Sequence, residues 1–243
     1  MRLFGLIGYP LAQSFSKKYF TEKFLKEGIT DAAYELFPLE NIEEFPALLK
    51  NHPEFYGINV TIPYKQEVMQ FLDEVDDKAK NIGAVNCIKI NNGKLIGHNT
   101  DAPAFEASLK EFLNPGHDKA LVLGTGGAAK AVVFVLKKLG IAHQLVSRVK
   151  KPGQIAYEEI TPEILHNHKL VINCTPLGSY PKVDTMPPVP YEYLTQAHYL
   201  YDLVYNPPLT RFLQKGLEQG CMIKNGYDML TGQAELGWRI WNS

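Results

Sequence analysis

A glycine-rich turn between an apolar strand and a helix-like segment constrains the second half of this chain most strongly. Residues 120–131 read ALVLGTGGAAKA, so an apolar run leads into Gly124-x-Gly126-x-x-Ala129. Because glycine has no Cβ, the backbone here can turn sharply and approach a pyrophosphate. The helix expected at 127–139 adds free N–H groups and the positive end of its dipole. The turn predicts a Rossmann-like dinucleotide-binding domain, with an ordinary tight strand–helix turn as the alternative.

Cations that follow the next predicted strand indicate which dinucleotide is bound. Strand 142–147 ends at Ser147 and continues into Arg148, Val149, Lys150 and Lys151. An NAD site usually places Asp or Glu about twenty residues beyond the turn, whereas arginine accommodates the extra 2′-phosphate of NADP. Solvated charges in a surface loop are the alternative interpretation. The position of the cluster relative to the turn favours NADP.

The order of the predicted elements indicates an α/β fold in two domains. The first part predicts strands at 3–8, 33–38 and 57–62, helices at 17–28, 42–50 and 67–79, and a hairpin of 84–90 with 94–98. From residue 120, strands at 120–124, 142–147, 169–174 and 199–204 alternate with helices at 127–139, 207–219 and 228–242, a pattern typical of a parallel sheet. We place the boundary near 102–118, with 1–102 as the first domain and 103–225 as the dinucleotide domain.

Composition excludes several functional classes. The formal net charge of -1 gives no global field for nucleic acid or anionic lipid. Cys87, Cys174 and Cys221 are scattered, so neither a disulfide framework nor a zinc site is expected, and a reducing cytoplasm suits them. The apolar start is short and broken by glycines, which favours a buried first strand over a signal peptide. We expect no metal, no nucleic acid and no membrane partner.

The first domain contains four clusters of polar residues that core packing does not explain. Ser, Thr and Asn are ordinary caps and turn formers, and Asp101 reads equally as a helix N-cap. Four such groups beside a dinucleotide domain nevertheless predict a site for a small molecule rich in hydroxyls. The clusters are Ser14-Phe-Ser16, Asn59-Val-Thr61-Ile-Pro63-Tyr-Lys65, Gly83-Ala-Val-Asn86 and Asn99-Thr100-Asp101.

Lys65 is the candidate acid/base of that site, although a surface lysine is the alternative. An exposed lysine titrates near pH ~10.4. Partial burial would lower its pKa and a carboxylate such as Asp101 would raise it, and the residues alone leave the balance open. A Lys65–Asp101 pair could relay the hydroxyl proton that accompanies hydride transfer.

The motifs together resemble the shikimate dehydrogenases, over residues 5 to 241. Besides the four clusters and the glycine-rich turn, the resemblance includes Gly8-Tyr-Pro10 and Gly57-Ile-Asn59 in the first half. In the second half it includes Asn173-Cys-Thr175-Pro176, Tyr201-Asp202-Leu-Val-Tyr205-Asn206-Pro207 and Asn225-Gly226-Tyr-Asp-Met229 with Gln233-Ala234. The resemblance implies reversible NADPH-dependent reduction of 3-dehydroshikimate to shikimate, in aromatic amino-acid synthesis by way of chorismate. It also implies a cleft between two α/β domains, with the C-terminal helix, about 226–243, returning to the first.

The resemblance also implies residue roles. Lys65 and Asp101 fall on the catalytic pair, and Ser14 and Ser16 on the hydroxyls that hold the substrate carboxylate. Further substrate contacts are implied for Thr61, Asn86, Tyr205 and Gln233. Cofactor contacts are implied for Asp77, Gly124, Gly126, Gly127, Ala128, Ser147, Arg148, Lys151, Thr175, Leu203, Gly226 and Met229.

Several departures and rivals accompany the resemblance. The family often has His where Gln13 stands and Pro where Lys17 stands, and the compact stretch 151–169 suggests a trimmed cofactor-domain helix. A quinate/shikimate dehydrogenase that uses NAD is the nearest alternative. A folate-type dehydrogenase/cyclohydrolase and a non-catalytic NADP-binding regulator are more distant ones. We expect a monomer or a homodimer in the cytoplasm.

Overall fold

The chain forms two compact units in a computed structural model that describes residues 1–11 and 14–243. Unit 1 contains Met1–Thr100 and Ala234–Ser243, and unit 2 contains Asp101–Gln233. The division therefore falls two residues before the expected 102/103 boundary and well inside the C-terminal segment expected to start at 226.

Unit 1 is built on a mixed six-stranded sheet in the order β2-β1-β3-β5-β6-β4. β1 runs parallel to β2 and β3, whereas β5 is antiparallel to both β3 and β6. The strands are β1 (Arg2–Gly8), β2 (Ala32–Pro38), β3 (Phe55–Val60), β4 (Glu74–Val75), β5 (Cys87–Asn91) and β6 (Lys94–His98); the helices are α1 (Phe15–Glu27), α2 (Phe45–Asn51) and α3 (Asp77–Ile82).

The prediction of one helix over 67–79 is wrong. A 3₁₀ turn at Glu67–Phe71 ends at Leu72, whose backbone is extended. Asp73 then pairs with β6, donating its N–H to Leu95 O (3.0 Å) and accepting from Leu95 N through its carboxylate (2.8 Å). Asp76 caps the next helix by accepting from Ala79 N at 2.7 Å. The pairing of Asp73 with β6 and the helix cap at Asp76 therefore interrupt a segment whose apolar spacing suits one continuous helix.

The end of the chain packs in the core of unit 1. Trp241 is 1% exposed and donates its indole N–H to Ile88 O at 3.0 Å. Its ring occupies the space beside Gly57, where a Cβ would lie 2.2 Å from Trp241 Cδ1. Gly57 therefore allows the terminal residues to approach the middle of the sheet.

Unit 2 contains a six-stranded sheet that is parallel throughout, in the order β12-β11-β10-β7-β8-β9. Numbered from β7, this is the doubly wound order 3-2-1-4-5-6 of dinucleotide-binding domains. The strands are β7 (Lys119–Leu123), β8 (Ala142–Ser147), β9 (Gln154–Ala156), β10 (Leu170–Asn173), β11 (Tyr199–Asp202) and β12 (Met222–Lys224); the helices are α4 (Asp101–Lys110), α5 (Gly127–Lys138), α6 (Pro162–Asn167), α7 (Arg211–Glu218) and α8 (Tyr227–Trp241), which crosses the unit boundary.

Three short elements of unit 2 were not predicted: β9, α6 and β12. Each has only a few residues, too few to show a hydrophobic period. The connection from β8 to β9, residues 148–153, contains no helix, although parallel neighbours are usually joined through a longer crossover. α7 starts at Arg211 rather than at 207, because Thr210 caps it by accepting from Leu213 N at 3.3 Å.

Candidate active site

The polar clusters of unit 1 meet at one edge of its sheet. The end of β3 lies beside the start of β5, with Asn59 opposite Cys87, because these strands are antiparallel. The end of β6 reaches the same level, with His98 also opposite Cys87. The end of β1 lies beside that of β3, where Thr61 N donates to Ile7 O at 2.9 Å. The topology therefore brings together segments that are far apart in sequence.

A buried hydrogen-bond network orders this edge. Asn86 and Thr100 pair reciprocally: Asn86 Nδ2 donates to Thr100 Oγ1 (2.9 Å) and Thr100 N donates to Asn86 Oδ1 (2.7 Å). Asn59 Nδ2 donates to Asn86 O at 3.2 Å, and the Tyr34 hydroxyl donates to Asn59 Oδ1 at 2.8 Å. All four residues are buried. The network holds Asn86, a predicted substrate contact, in one orientation.

Thr61 and Lys65 lie on the turn after β3. A Cβ on Gly8 would lie only 2.4 Å from Thr61 Cγ2, so the glycine of the first motif makes room for Thr61. Tyr64 N donates to Thr61 O at 3.0 Å, and Val85 N donates to Lys65 O at 2.7 Å. Lys65 itself is half-buried. The backbone of the candidate acid/base is thus tied to the segment that carries Asn86.

The two predicted carboxylate-binding serines differ in their surroundings. Ser14 Oγ is buried and has no hydrogen-bond partner among the described residues, which leaves its hydroxyl for a ligand. Burial raises the pKa of Tyr34, and a hydrogen bond with Ser16 opposes that rise. Lys17, one of the departures, pairs with Glu35 at 2.5 Å, so its charge is matched locally. Gln13, the other, lies outside the described residues.

The glycine-rich turn of unit 2 follows β7, the strand at which the strand order of the sheet reverses. Gly124 follows β7 and has a φ of +103°, a conformation that an L side chain rarely adopts. A Cβ there would be 3.0 Å from Thr175 Cγ2, so the ends of β7 and β10 adjoin. Ligands of open α/β sheets bind at such a switch point.

The start of α5 fits an anionic group. Gly126 is the N-cap, with no side-chain cap and no acidic residue in the first turn. A Cβ on Gly126 would meet nothing within 4 Å, and its φ is -77°, so neither packing nor strain in the protein requires glycine there. Open space above an uncapped helix N-terminus fits the pyrophosphate of a dinucleotide. Gly127 and Ala128 begin this helix.

The cationic loop after β8 is compact. Ser147 Oγ donates to Val149 O at 2.5 Å, which turns the chain directly after the strand. Lys150 pairs with Glu159 at 2.5 Å. Within the part of the chain that the structure describes, Arg148 and Lys151 form no ion pair and are exposed. Two cations therefore remain for a phosphate, the arginine with a planar fork of donors.

The loops after β11 and β12 bring two predicted cofactor contacts together. Gly226 lies so close to Leu203 that a Cβ would be 2.1 Å from Leu203 O. Gly226 N donates to Val204 O at 3.1 Å, and Leu203 N donates to Asn173 O at 2.9 Å. These contacts place Leu203 and Gly226 at the same edge of the sheet as Thr175.

The remaining predicted site residues are distributed over both units. Lys65 and Asp77 belong to unit 1, and Asp101 is the first residue of unit 2. The Asp77 side chain is 95% exposed. Tyr205, Met229 and Gln233 also lie in unit 2. Tyr205 is half-buried, and burial raises its pKa. Met229 is buried, and the Gln233 side-chain amide donates to Leu230 O at 3.0 Å.

Sequence reasoning assigned no role to several residues that organise these edges. Asn173 and Asp202 end strands β10 and β11 and are both fully buried. A polar residue at the end of an otherwise apolar strand was the available signal. Tyr34 is the hardest of these residues to identify from the sequence, because nothing in the residues around it distinguishes it from an ordinary core tyrosine.

Two classes of site are absent from the described residues. No group of three or more His, Cys, Asp or Glu residues there could hold a metal ion. Among the same residues, no helix has the length and apolar character needed to cross a membrane.

Comparison with known proteins gives the family. The model of the shikimate dehydrogenase substrate binding domain matches residues 6–88. The chain is 39% identical to shikimate dehydrogenase (NADP(+)) of Carboxydothermus hydrogenoformans, over 99% of this chain and 91% of that protein. It is 41% identical to the enzyme of the same name from Clostridium beijerinckii, with 99% and 92% covered.

A solved structure agrees with the fold. Shikimate 5-dehydrogenase from Thermus thermophilus, in complex with NADP(H) and shikimate, superposes with a TM-score of 0.87 at 32% identity and covers 99% of this chain and 93% of its own. The doubly wound sheet, its glycine-rich turn and the cationic loop define a dinucleotide-binding α/β protein. With the relatives above, the chain belongs to the shikimate dehydrogenase family, which confirms the resemblance and the predicted fold class.

Proposed function

We propose that this chain catalyses the reversible NADPH-dependent reduction of 3-dehydroshikimate to shikimate. The observation that carries the proposal is the similarity to NADP(+)-dependent shikimate dehydrogenases along 99% of the chain. The product is an intermediate on the route to chorismate and the aromatic amino acids.

The proposed substrate site uses the polar edge of unit 1. The Ser14 and Ser16 hydroxyls bind the carboxylate, and Ser14 is suited to this because its buried hydroxyl has no partner among the described residues. Thr61 and Asn86 bind ring hydroxyls, and Asn86 is pre-oriented by its pair of bonds with Thr100. Tyr205 and Gln233 supply further contacts. A pre-oriented polar group loses little entropy when it binds.

The proposed chemistry needs one proton and one hydride. Bound NADPH supplies the hydride, which forms the new C–H bond at the ketone carbon. Lys65 donates the proton to the ketone oxygen, so that the C=O bond becomes C–OH, and Asp101 orients both the lysine and the neighbouring hydroxyl. In the oxidative direction the same lysine accepts the proton.

The proposed NADP site lies along the switch point of unit 2. Gly124, Gly126, Gly127 and Ala128 accommodate the pyrophosphate, and Ser147, Arg148 and Lys151 bind the 2′-phosphate. Asp77, Thr175, Leu203, Gly226 and Met229 complete it. Arg148, exposed and without an ion pair among the described residues, supports NADP over NAD, because a guanidinium pairs with the 2′-phosphate and has no such partner in NAD.

An absorbance assay in the NADPH band tests the proposal. Shikimate with NADP should give turnover, whereas shikimate with NAD and quinate with NADP should be much slower. Absence of turnover with shikimate and NADP would refute the proposed activity. A clear preference for NAD would instead identify the quinate/shikimate alternative.

A variant pair tests the role of Lys65. Lys65→Ala should lower kcat by about 100-fold or more, the usual contribution of a general acid, with shikimate affinity within a few-fold. Lys50→Ala, which removes an exposed lysine from α2, is the matched control and should leave kcat unchanged. Turnover of Lys65→Ala within a few-fold of the wild type would exclude it as the proton donor.

We also propose a cytoplasmic enzyme, since Cys87, Cys174 and Cys221 are scattered along the chain with no Cys-x-x-Cys pair, which suits a reducing compartment. We expect a monomer or a homodimer. Light scattering after gel filtration measures the molar mass, and a larger assembly would contradict this prediction.

A further inference from the structure

A buried carboxylate joins two loops at the switch point of unit 2. We infer that Asp202 is a positioning residue for the cofactor site, which acts by orienting the side-chain amide of Asn173 and, through it, Thr175. The inference rests on the proposed function, because Thr175 is a proposed NADP contact.

Asp202 is held entirely by neutral donors. It is 0% exposed, and none of the ion pairs among the described residues includes it. Its Oδ1 accepts from Asn173 Nδ2 (2.9 Å) and Val204 N (3.0 Å), and its Oδ2 accepts from Thr210 Oγ1 (2.6 Å). Burial raises the pKa of Asp202 to about 6, which these three hydrogen bonds oppose. Burying a carboxylate is costly unless it is hydrogen-bonded, and these three donors supply that compensation.

The carboxylate is the nearer of two acceptors that determine which way the Asn173 amide points, since Asn173 Nδ2 also donates to Leu177 O at 3.4 Å. Both oxygens of an ionised Asp only accept hydrogen bonds, so the amide must present its NH₂ to Asp202. Its carbonyl oxygen is then turned to Thr175 and accepts from Thr175 N (3.0 Å) and Thr175 Oγ1 (2.6 Å). If the amide were flipped, its NH₂ would face the Thr175 N–H and that bond would be lost, while the Thr175 hydroxyl would have to accept instead of donate.

Thr175 and the loop after β11 are both fixed through this arrangement. Thr175 Cγ2 lies 3.0 Å from the position of a Cβ on Gly124, so a shift of Thr175 alters the wall of the glycine-rich turn. On the other side, the bond from Val204 N positions the segment whose carbonyl accepts from Gly226 N at 3.1 Å. One side chain therefore holds both flanks of the place where an open α/β sheet binds its dinucleotide.

Two variants of Asp202 separate geometry from charge. Asp202→Leu removes the acceptor, and loss of the Thr175 bonds should raise the Kd for NADPH about tenfold. Asp202→Asn should stay within about twofold, because its oxygen can accept from Asn173 and Val204 while its NH₂ donates to Thr210 Oγ1. Titration of NADPH fluorescence measures the Kd. The KM for shikimate at saturating NADP should change less than about twofold in both variants.

Tyr201→Phe is the matched control. Tyr201 precedes Asp202 in β11, is equally buried, and donates to Ser108 Oγ at 2.9 Å without a bond to either loop. The Tyr201→Phe variant should bind NADPH with the affinity of the wild type. A loss equal to that of Asp202→Leu would mean that any weakened β11 impairs binding, and would overturn the inference.

Asn173→Ala keeps the inference testable if Asp202→Leu does not fold. This variant removes the amide oxygen that accepts from Thr175, so it should also raise the Kd for NADPH about tenfold. NADPH binding by Asn173→Ala within twofold of wild type, or an Asp202→Asn variant as weak as Asp202→Leu, would refute the inference. A wild-type protein that does not bind NADPH would refute the proposed function instead.

Discussion

The charge of Asp202 should make the stability of unit 2 depend on pH in an unusual direction. The pKa of this carboxyl rises from 3.8 to about 6 on folding because the side chain is buried. The folded protein therefore binds the proton more tightly than the unfolded chain, so this group lowers the free energy of unfolding as pH rises from about 4 to about 6. Most paired carboxylates act in the opposite direction.

The magnitude follows from the size of the shift. Each pKa unit corresponds to about 1.36 kcal/mol, so the full effect is about 3 kcal/mol. About 1.4 kcal/mol of it falls between pH 5 and pH 7.5, the range that is convenient to measure. Asp202→Asn has no such titration, so the stability of wild type relative to this variant should fall by about that amount over the same range.

Urea unfolding of both proteins at several pH values measures the difference. Trp238 and Trp241, the chain's two tryptophans, both lie in unit 1, so their fluorescence does not report on β11. Far-UV circular dichroism, or hydrogen exchange of the peptide that contains Tyr199–Asp202, follows unit 2. Other titrating groups cancel in the comparison. A difference that does not change with pH would show that Asp202 is not desolvated, and one that changes in the opposite sense would show that its hydrogen bonds outweigh its burial.

Three further substitutions probe the turn, the loop and the core. Gly124→Ala should lower the melting temperature and raise the KM for NADP, because an alanine at φ +103° is strained by about 1–3 kcal/mol; unchanged values would show that the turn can relax. Arg148→Ala should raise the KM for NADP about tenfold and leave that for NAD unchanged, whereas Lys150→Ala, whose partner is Glu159, should have a smaller effect; equal losses with NAD would exclude 2′-phosphate binding. Trp241→Ala should cost unit 1 about 3–5 kcal/mol in urea unfolding, and a loss below about 1 kcal/mol would contradict its burial.

The local chemistry of the chain was sufficient to predict the dinucleotide turn. Gly124, Gly126 and the start of α5 are neighbours in sequence, and their backbone requirements are visible in the residue types. The same holds for the hairpin of β5 and β6, whose turn contains Asn92 and Gly93 with positive φ. These features need no information from elsewhere in the chain.

Elements shaped by distant partners were not predictable. The segment 67–79 has an apolar spacing that suits one helix, yet Asp73 pairs with Leu95 and interrupts it. β9 and β12 are strands only because β8 and β11 offer them partners. The periodicity of a segment reflects only its own residues, so it does not show whether another strand will pair with that segment in the sheet.

The candidate site divides in the same way. By itself the sequence determined the types of group available: serines and asparagines for a hydroxyl-rich ligand, a lysine for a proton, and glycines and cations for NADP. Only the tertiary structure decided how these groups are oriented. It did so through hydrogen bonds that join Tyr34 to Asn59, Thr100 to Asn86 and Asp202 to Asn173. The physical reason is that a buried polar group must find a partner, and in a folded chain that partner comes from whichever segment the topology places beside it.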